Sequence, residues 1–444
     1  MIVSDQYPPM VGGVPTVTHN LAVDLAEREH QVSVIAPSYG ARDVCRLEQN
    51  VRVYRFSSFE WPTYKDLRIP FLPLLPLRNV IKRADPDVIH IHSPVVLGSI
   101  AHIFAGGLHK PLIATNHYLP INMSRSLASE PFLGKHFSNV SYSYLVYFCN
   151  GCQYVTAPTV TALNLLYEHG LRVPARAISN GIDLQKFTPG ERDPQVLQRF
   201  GLPTDRPLLL HVNRLSEEKR VHVLLDAIAK IKTEAHLALV GTGPVEADLR
   251  LQVERLQIAD RVSFLGFVSD ADLVLLRRSA DLFVIPSEGD LQSLSTMEAM
   301  ACGLSIIAAD AYALPELVHH EENGLLFQPG NSDELAHGID RLLNDRDLRA
   351  RMGEASLKII AAHDRVKVLD EWEELYQQLA IDFKEKKKRR QHQQIICRYP
   401  FYKSQNSKKV SKAKVDKAIK MHNLIKWNKK GSIKRVPRDG DKLL

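Results

Sequence analysis

Short apolar segments alternate with amphipathic segments of helical periodicity along most of the chain, and this alternation constrains the fold more than any other feature. The segments QVSVIAP, DVIHIH and PLIATNH have the length and composition of buried strands, and LLLHVNR, HLALVG and DLFVIP repeat the pattern later in the chain. Strands of this kind that are separated by helices form parallel sheets with both faces covered. The sequence therefore predicts an α/β protein made of two successive doubly wound, Rossmann-like runs.

The domain boundaries follow from length and from turn-rich sequence. A chain of 444 residues is too long for one ordinary core, and the segment SNGIDLQKFTPG, Ser179–Gly190, separates the two runs. We therefore predict a first Rossmann-like domain over residues 1–178 and a second over residues 179–383, which face each other across a cleft. The last predicted helix, Val368–Phe383, is expected to pack back towards the first domain.

The composition changes abruptly after this helix. Residues 383–444 contain 21 Lys or Arg against 4 Asp or Glu, so an acidic body is followed by a basic segment that begins KEKKKRRQHQQ. Because this segment lacks apolar periodicity, we predict a basic, disordered tail over residues 384–444. An anionic membrane surface would attract such a tail, and a tail without a defined partner is the alternative. Nucleic acid is a third candidate that we do not favour, because no recognition motif accompanies the charge.

Cysteine content and hydropathy indicate the compartment. The five cysteines are an odd number in a large chain and favour a reducing cytoplasm over a disulfide framework. Cys149 and Cys152 have CxxC spacing, but no second cysteine pair follows at the spacing of a zinc site. We therefore favour a role in packing, and metal binding or redox chemistry is the alternative. No run of about 18 apolar residues suggests a membrane span, and the segment after Met1 does not resemble a secretion signal. We expect a cytoplasmic protein. Peripheral binding to the inner face of the plasma membrane is compatible with this location.

Two acidic residues flank the start of a predicted helix in the second domain. Asp290 and Glu298 lie eight positions apart, after the strand DLFVIP. Ligands of doubly wound sheets bind at the carboxyl ends of the strands. The backbone N–H groups near Ser293, Leu294 and Ser295 would favour a phosphate there. From spacing alone, the two acids are equally well explained as surface residues near a helix end.

Cations and glycines follow two other strands of the same domain. Arg214 comes directly after the strand LLLHV and Lys219 comes five residues later, so both could reach the same cleft. Two fixed cations beside a helix N-terminus suit a diphosphate leaving group. Gly241 and Gly243, in VGTGP, allow close approach of a nucleotide, although the loop lacks the dinucleotide and P-loop fingerprints.

The first domain supplies further candidates. Gly12 and Gly13 lie in a strand-to-helix loop where the backbone can approach a ligand closely, and His117 ends the strand PLIATNH. A histidine at that position can hydrogen-bond a sugar hydroxyl. His90 and His92 alternate along another strand, and we interpret them chiefly as interior histidines.

In this order, the motifs resemble the retaining nucleotide-sugar glycosyltransferases of the GT-B fold, the group often called family 4. The resemblance covers roughly residues 1–380. Its carriers are the segments YPPMVGGV, DVIHIHSP, TNH, SNGIDLQKF, NRLSEEK, VGTGP, GFVSDADL, PSEGDLQSLSTMEAMACGLSIIAAD and ENGLLF. Any one segment could arise by chance, but the full series in this order is strongly specific.

The resemblance implies roles for the second-domain residues. Asp290 would contact hydroxyls of the donor sugar, and Glu298 would bind the ribose of the nucleotide. Arg214 and Lys219 would bind the diphosphate. Further donor contacts are implied for the two loop glycines and the helix start, that is, for Gly241, Gly243, Ser293, Leu294 and Ser295.

The resemblance also implies roles elsewhere in the cleft. Gly12 and Gly13 would contact the donor phosphate or form the acceptor mouth, and His117 would lie near the reacting carbon of the sugar. The nucleotide base would lie by Phe267 and Val268.

Three features depart from the family pattern. The first acid is usually Glu, and Asp290 is one methylene shorter, so its reach to the sugar depends on the position of the loop. The common Glu-Gly-Phe-Gly reads Asp-Leu-Gln-Ser here, which resembles a subgroup that we associate with lipid-directed enzymes. The first strand begins at Met1 and is two or three residues short, which is compatible with an upstream start codon.

The resemblance implies a bacterial-type hexosyltransferase that uses a UDP- or GDP-sugar. The resemblance implies retention of anomeric configuration without a covalent enzyme intermediate, with the departing phosphate as the acceptor of the proton. A glycoside hydrolase would instead need two carboxylates that flank the bond. No Asp-x-Asp metal signature occurs at the donor loop, so we expect no metal and no cofactor, with Arg214 and Lys219 supplying positive charge.

The acceptor is predicted to be a hydroxyl compound, either a glycan or a membrane lipid such as a diacylglycerol or a phosphatidylinositol type. The segments Arg68–Arg83 and Pro131–Phe148 combine apolar or aromatic residues with cations, as at a membrane interface. Ordinary core packing explains them equally well. Two other functions stay open: an inactive GT-B scaffold that binds an anionic partner through its tail, and a UDP-sugar epimerase on the same architecture.

Overall fold

The computed structural model describes residues 1–40, 42–61, 64–120, 122 and 131–398. The chain divides into two compact units, Met1–Ile381 and Asp382–Leu444. The first unit contains two large parallel sheets, each covered by helices. The predicted α/β class with two Rossmann-like sheets is therefore confirmed.

The first sheet has eight strands in the order β10-β9-β8-β7-β1-β2-β4-β3, all parallel except β3. A separate antiparallel hairpin, β5–β6, follows β4. The strands are β1 Ile2–Val3, β2 Ser33–Pro37, β3 Val44–Glu48, β4 Val51–Phe56, β5 Ser58–Trp61, β6 Tyr64–Pro70, β7 Ile89–Ile91, β8 Leu112–Thr115, β9 Tyr154–Ala157 and β10 Ala175–Ala177.

Helices cover both faces of this sheet because its central strands are apolar on both sides, as the run Leu112–Thr115 illustrates. One face packs against α3 and α4, and the other packs against α1. The helices are α1 Gly13–Glu27, α2 Leu74–Ala84, α3 Val96–Leu108, α4 Pro131–Asn150 and α5 Val160–Glu168. The predicted helix over Pro131–Phe148 is confirmed as α4.

The second sheet has six parallel strands in the order β13-β12-β11-β14-β15-β16. Its strands are β11 Leu208–Val212, β12 His236–Val240, β13 Val262–Gly266, β14 Leu282–Ile285, β15 Ile306–Ala309 and β16 Gly324–Phe327. Its helices are α6 Pro194–Arg199, α7 Val221–Lys230, α8 Glu246–Arg255, α9 Asp270–Ser279, α10 Leu294–Ala301, α11 Ser332–Asn344 and α12 Arg346–Ile360. Between β15 and β16 lies a single 3-10 turn, Leu314–Glu316, in place of a helix.

The last helix, α13, spans Arg365–Arg398. Its apolar residues up to Leu379 join the core beneath the first sheet, where Trp372 packs against the ring of His90. At its start, Arg365 forms an ion pair with Asp24 of α1. The first part of α13, up to Leu379, thus covers the first sheet. The two sheets fall on either side of residues 178–207, and the domain boundaries at 178 and 383 stay predictions.

Helix α13 ends fifteen residues beyond the expected end at Phe383. The prediction of disorder immediately after that residue is therefore wrong for residues 384–398. Lys, Arg, Glu and Gln have high intrinsic helix propensity and extend a helix without an apolar face. The rest of the predicted basic tail, residues 399–444, lies outside the described residues. None of the described helices combines the length and the hydropathy required to cross a bilayer.

Candidate functional site

The site is built where β11 and β14, which are neighbours in the second sheet, reach their carboxyl ends. The loop that follows β11 and the loop of residues 286–293 that follows β14, which we call the β14–α10 loop, are tied together. The backbone N–H of Glu288 donates to the carbonyl of Glu218 at 2.9 Å, and Arg220 forms an ion pair with Glu288 at 3.2 Å. Residues that are 70 positions apart in sequence thus form one surface.

At the centre of this surface, Lys219 and Asp290 form an ion pair, with Nζ 2.7 Å from Oδ1. Their side chains are only 12% and 13% exposed, so the pair is shielded from water. The second carboxylate oxygen, Oδ2 of Asp290, is buried and has no hydrogen-bond partner among the described residues. A buried carboxylate oxygen without a donor is costly, and a hydroxyl group brought to it would satisfy it.

Glu298 lies on α10 and forms an ion pair with Arg277 of α9. Arg277 is fully buried, and its guanidinium also lies over the ring of Phe187, 5.4 Å from the centroid. Burial raises the pKa of Glu298, while the positive charge of Arg277 acts in the opposite direction. The second acid therefore has a fixed cationic partner that the motif did not reveal.

Arg214 follows β11, and its backbone is fixed by the segment that carries Gly241 and Gly243. A Cβ atom on Gly241 would lie 2.0 Å from the carbonyl oxygen of Asn213, and one on Gly243 would lie 2.0 Å from that of Leu215. The close approach that the glycines permit is therefore an approach to the protein's own backbone. Burial lowers the pKa of the Arg214 guanidinium. Contact of the two glycines with a nucleotide stays a prediction.

The N-terminus of α10 is capped by Ser293, whose hydroxyl accepts the backbone N–H of Thr296 at 3.3 Å. The hydroxyl of Ser295 lies 3.5 Å from the side-chain amide of Asn213, beside Arg214. Leu294 faces the first domain, because a Cβ on Gly13 would lie 3.8 Å from its Cδ1. The start of α10 therefore meets the Gly12–Gly13 loop at the start of α1, as the sequence predicts for a cleft between the domains.

His117 follows β8 in the first domain. Its Nε2 lies 2.9 Å from Nδ1 of His92, and burial lowers the pKa of His117 to about 4, so the ring is neutral at pH 7. His90 is hydrogen-bonded on both sides, to the hydroxyls of Tyr376 at 2.7 Å and Thr115 at 2.6 Å. The interpretation of His90 as an interior residue is confirmed.

The two residues expected beside the nucleotide base differ in position. Phe267 is 74% exposed and its ring is accessible to a ligand. Val268 is buried and packs in the core of the second domain. Its side chain lies in that core, and the contact of Val268 with the donor stays a prediction.

Metal ligands do not cluster in the part of the chain that the structure describes: no group of three or more His, Cys, Asp or Glu side chains is arranged to hold an ion. Cys149 and Cys152 are buried, unbonded thiols, and burial raises the pKa of Cys149 to about 12. A thiol in this state is a poor metal ligand and a poor nucleophile. Packing is the role that fits these two cysteines.

Comparison with known proteins supports one family for both halves of the chain. Residues 11–186 match the family described as Glycosyltransferase Family 4, and residues 193–359 match the family described as Glycosyl transferases group 1. The fold and the site define the class, and the chain belongs to the GT-B nucleotide-sugar glycosyltransferases of the family 4 type. The resemblance to this family that the sequence motifs indicated is confirmed.

Similar proteins include two bacterial synthases and one protein of known structure. The chain is 29% identical over 85% of its length to the N-acetyl-alpha-D-glucosaminyl L-malate synthase of Bacillus anthracis, 96% of which is covered. It is 27% identical over 81% of its length to the alpha-monoglucosyldiacylglycerol synthase of Streptococcus pneumoniae, 82% of which is covered. The crystal structure of Anabaena HepE in complex with UDP and glucose matches with a TM-score of 0.69 and 25% identity, covering 85% of this chain and 99% of that one.

Proposed function

We propose that the protein is a retaining hexosyltransferase that moves a sugar from a UDP- or GDP-sugar to a hydroxyl acceptor. The observation that carries the proposal is the shielded pair of Lys219 and Asp290 at the carboxyl ends of β11 and β14, in which one carboxylate oxygen has no hydrogen-bond partner among the described residues. The complex of HepE with UDP and glucose supports a UDP-linked donor as the first candidate. The names of the bacterial relatives support transfer to small or lipid hydroxyl compounds.

In this proposal the donor diphosphate lies beside Lys219 and Arg214. The ammonium group of Lys219 can bind two anions at once, because it has three N–H donors and only one of them is needed for the hydrogen bond to Asp290. The free carboxylate oxygen of Asp290 then accepts a hydroxyl of the donor sugar. Glu298 accepts the ribose hydroxyls, and Arg277 keeps that carboxylate ionised and oriented.

The reaction would proceed on one face of the sugar. The acceptor oxygen forms a bond to the anomeric carbon on the side from which the diphosphate leaves, and the bonding electrons of the broken C–O bond pass to the phosphate oxygen. That phosphate takes the acceptor proton, so the configuration is retained without an enzyme base. Negative charge grows on the diphosphate, and Lys219 and Arg214 stabilise it, which removes the need for a metal ion or a cofactor.

A membrane lipid is the acceptor class that the surface of the first domain favours. Apolar side chains stand exposed in the segment before and within α2, where Phe71, Leu72 and Leu75 are 64%, 69% and 69% exposed. Lys82 and Arg83 lie in the last turn of the same helix. A segment that carries exposed apolar residues at one end and cations at the other suits the interface of an anionic bilayer, which also fits the proposed peripheral location on the inner face of the plasma membrane.

The activity is tested by incubating the protein with UDP- and GDP-hexoses and a bacterial lipid extract, and by recording the anomeric configuration of the product by NMR. We expect transfer with retention, and we expect Glu298→Gln and Lys219→Ala to abolish most of it. Turnover that is unchanged in both variants would contradict the site, and an inverted product would contradict the mechanism.

The lipid surface is tested separately by flotation with vesicles that contain anionic lipid. We expect the double variant Leu72→Ser and Leu75→Ser to lose vesicle binding while it keeps nucleotide binding. Leu251→Ser is the matched control, because Leu251 is similarly exposed on α8 of the second domain. Equal vesicle binding by the wild type and the double variant would exclude this surface.

A further inference from the structure

The β14–α10 loop is anchored to the first domain on both sides of Asp290. Before it, the carbonyl of Gly289 accepts a hydrogen bond from the side-chain amide of Asn122 at 2.9 Å. After it, the carbonyl of Leu291 accepts a hydrogen bond from the hydroxyl of Thr159 at 2.8 Å. The side chain of Asp290 pairs with Lys219 of its own domain, and its carbonyl accepts the backbone N–H of Ala313 at 3.4 Å. The backbone on either side of Asp290 is therefore held by the first domain as well as by its own.

The side chain of Leu291 strengthens this attachment. It is 7% exposed and belongs to the hydrophobic core of the first domain, although the residue itself lies in the second. Burial of a leucine side chain contributes about 2 kcal/mol of free energy to holding the loop in place, which is more than a typical contact at the surface contributes. The loop is thus held by apolar burial as well as by backbone hydrogen bonds.

Gln292 attaches the loop to the segment that links the two domains. Its Oε1 accepts the backbone N–H of Asn180 at 2.8 Å, and its Nε2 donates to the hydroxyl of Ser179 at 3.1 Å. The same hydroxyl lies 2.8 Å from Nδ1 of His363, just before α13. A single side chain therefore connects the loop to both segments that pass between the domains.

These contacts explain the departure from the common Glu-Gly-Phe-Gly pattern. A glycine at position 291 would leave the core site empty, and a phenylalanine at position 292 could not accept the Asn180 N–H. An acid one methylene shorter reaches the same sugar hydroxyl only if its backbone stands closer to the donor. The shorter acid at position 290 therefore requires the two anchoring side chains, Leu291 and Gln292.

We propose that Leu291 and Gln292 are positioning residues for the transfer reaction, and that their attachment to the first domain and the linker brings Asp290 within reach of the donor sugar. The inference rests on the role that the proposed function gives to Asp290. It predicts that sugar recognition depends on these two residues while recognition of the nucleotide does not, because Glu298 and Arg214 lie outside the anchored segment.

The test compares the full-length wild type with Leu291→Gly, Gln292→Leu and their double variant, after thermal unfolding has shown that each is folded. We measure kcat and KM for the UDP- or GDP-hexose and Kd for the free nucleotide. We expect Kd for the nucleotide to stay within about threefold of wild type, and kcat/KM for the nucleotide-sugar to fall about 100-fold in the double variant, as expected for a misplacement near 1 Å. Wild-type kcat/KM in the double variant, or an equal loss of nucleotide binding and turnover, would overturn the inference.

Two further variants separate positioning from a general loss of packing. Gln292→Glu keeps the acceptor for the Asn180 N–H and is expected to restore most of the kcat/KM that Gln292→Leu loses; this pair of single variants carries the test if the double variant does not fold. Asp290→Glu is expected to lower kcat/KM in the wild-type loop and to raise it about tenfold in the double variant, because the longer acid restores the reach. A decrease in both backgrounds would contradict the proposal. Failure of the wild type to bind any nucleotide would instead contradict the proposed function itself.

Discussion

At the scale of single residues, the centre of the site is a shielded ion pair, one oxygen of which lacks a hydrogen-bond partner in the part of the chain that the structure describes. Lys219 and Asp290 come from loops that follow different strands, and each is nearly enclosed by protein. Removal of one partner leaves the other charge buried without compensation, which costs more than the pair contributes. The same geometry that prepares the site for a donor therefore makes it sensitive to single substitutions.

Lys219→Met is expected to lower the free energy of unfolding by about 2 to 3 kcal/mol, because Asp290 is then left unpaired. The double variant Lys219→Met with Asp290→Asn is expected to recover most of that loss, since the buried charge is removed as well. Urea unfolding of the two single variants and the double variant measures this coupling. Additive effects would show that the pair does not interact in solution.

His117 gives the protein a dependence of stability on pH. Burial lowers the pKa of His117 from 6.5 to about 4, so the unfolded state binds more protons between these two values. The free energy of unfolding is therefore expected to fall as the pH drops from about 6.5 to about 4, by about 3 kcal/mol from this residue, and to level off below that. His117→Gln is expected to flatten this part of the curve in a pH series of urea titrations. An unchanged slope would show that another group is responsible.

The sequence was sufficient for some site residues and not for others. Asp290, Lys219 and Gly13 stand in local motifs whose order along the chain can be read directly. Arg277 could not be predicted, because it lies 21 residues before Glu298 on another helix and is followed by Arg278, which bonds instead to Thr188. Helical periodicity does not decide which of two adjacent arginines turns inward.

At the scale of secondary-structure elements, the loops of the second domain are held by close backbone packing. Gly243 permits this packing because the carbonyl of Leu215 occupies the space where a Cβ would lie. The VGTGP segment thereby packs directly against the backbone of the loop that carries Arg214. This glycine serves the site through the fold, whether or not it touches a ligand.

Gly243→Ala is expected to lower the free energy of unfolding by about 2 kcal/mol and to weaken donor binding, because the added methyl displaces the backbone beside Arg214. Gly106→Ala is the matched control: Gly106 lies in α3 with open space around its Cα, so the substitution should stabilise the protein by about 0.5 to 1 kcal/mol. Thermal unfolding and nucleotide titration of both variants measure the difference. A Gly243→Ala variant as stable as wild type would contradict the packing described for this loop.

Prediction of the elements succeeded where strands were buried on both faces and failed where burial was one-sided. The strands β11, β12 and β14 are continuous apolar runs. The hairpin β5–β6 was missed, because Ser58–Trp61 buries only its first residue and has no alternating pattern. The extension of α13 was missed because a solvated helix without an apolar stripe looks like a charged coil in sequence.

At the scale of the whole molecule, the two sheets are connected twice. In the linker, the backbone N–H of Ile182 donates to the carbonyl of His363 at 2.9 Å, and the carbonyl of Ile182 accepts the N–H of Arg365 at 2.9 Å. His363 and Arg365 lie where the chain enters α13. Helix α13 then returns to the first sheet, where Trp372 is buried between apolar side chains of that domain. The end of the second domain is thus part of the core of the first.

Trp372→Ala is expected to lower the free energy of unfolding by about 3 to 5 kcal/mol, because a large cavity opens beneath the first sheet. Trp61→Ala is the control, since Trp61 is exposed in the β5–β6 hairpin and its loss should cost less than about 0.5 kcal/mol. Chemical unfolding monitored by circular dichroism distinguishes the two. Equal effects would show that α13 does not pack against the first sheet in solution.

The measurement that tests the central claim most directly is titration calorimetry of the wild type and of Glu298→Gln with UDP, GDP and ADP. We expect either UDP or GDP to bind the wild type and to bind the variant at least about tenfold more weakly, because the charged acceptor for the ribose hydroxyls is lost. Absence of binding by all three nucleotides, or equal affinity in the variant, would contradict a nucleotide-sugar site at the start of α10.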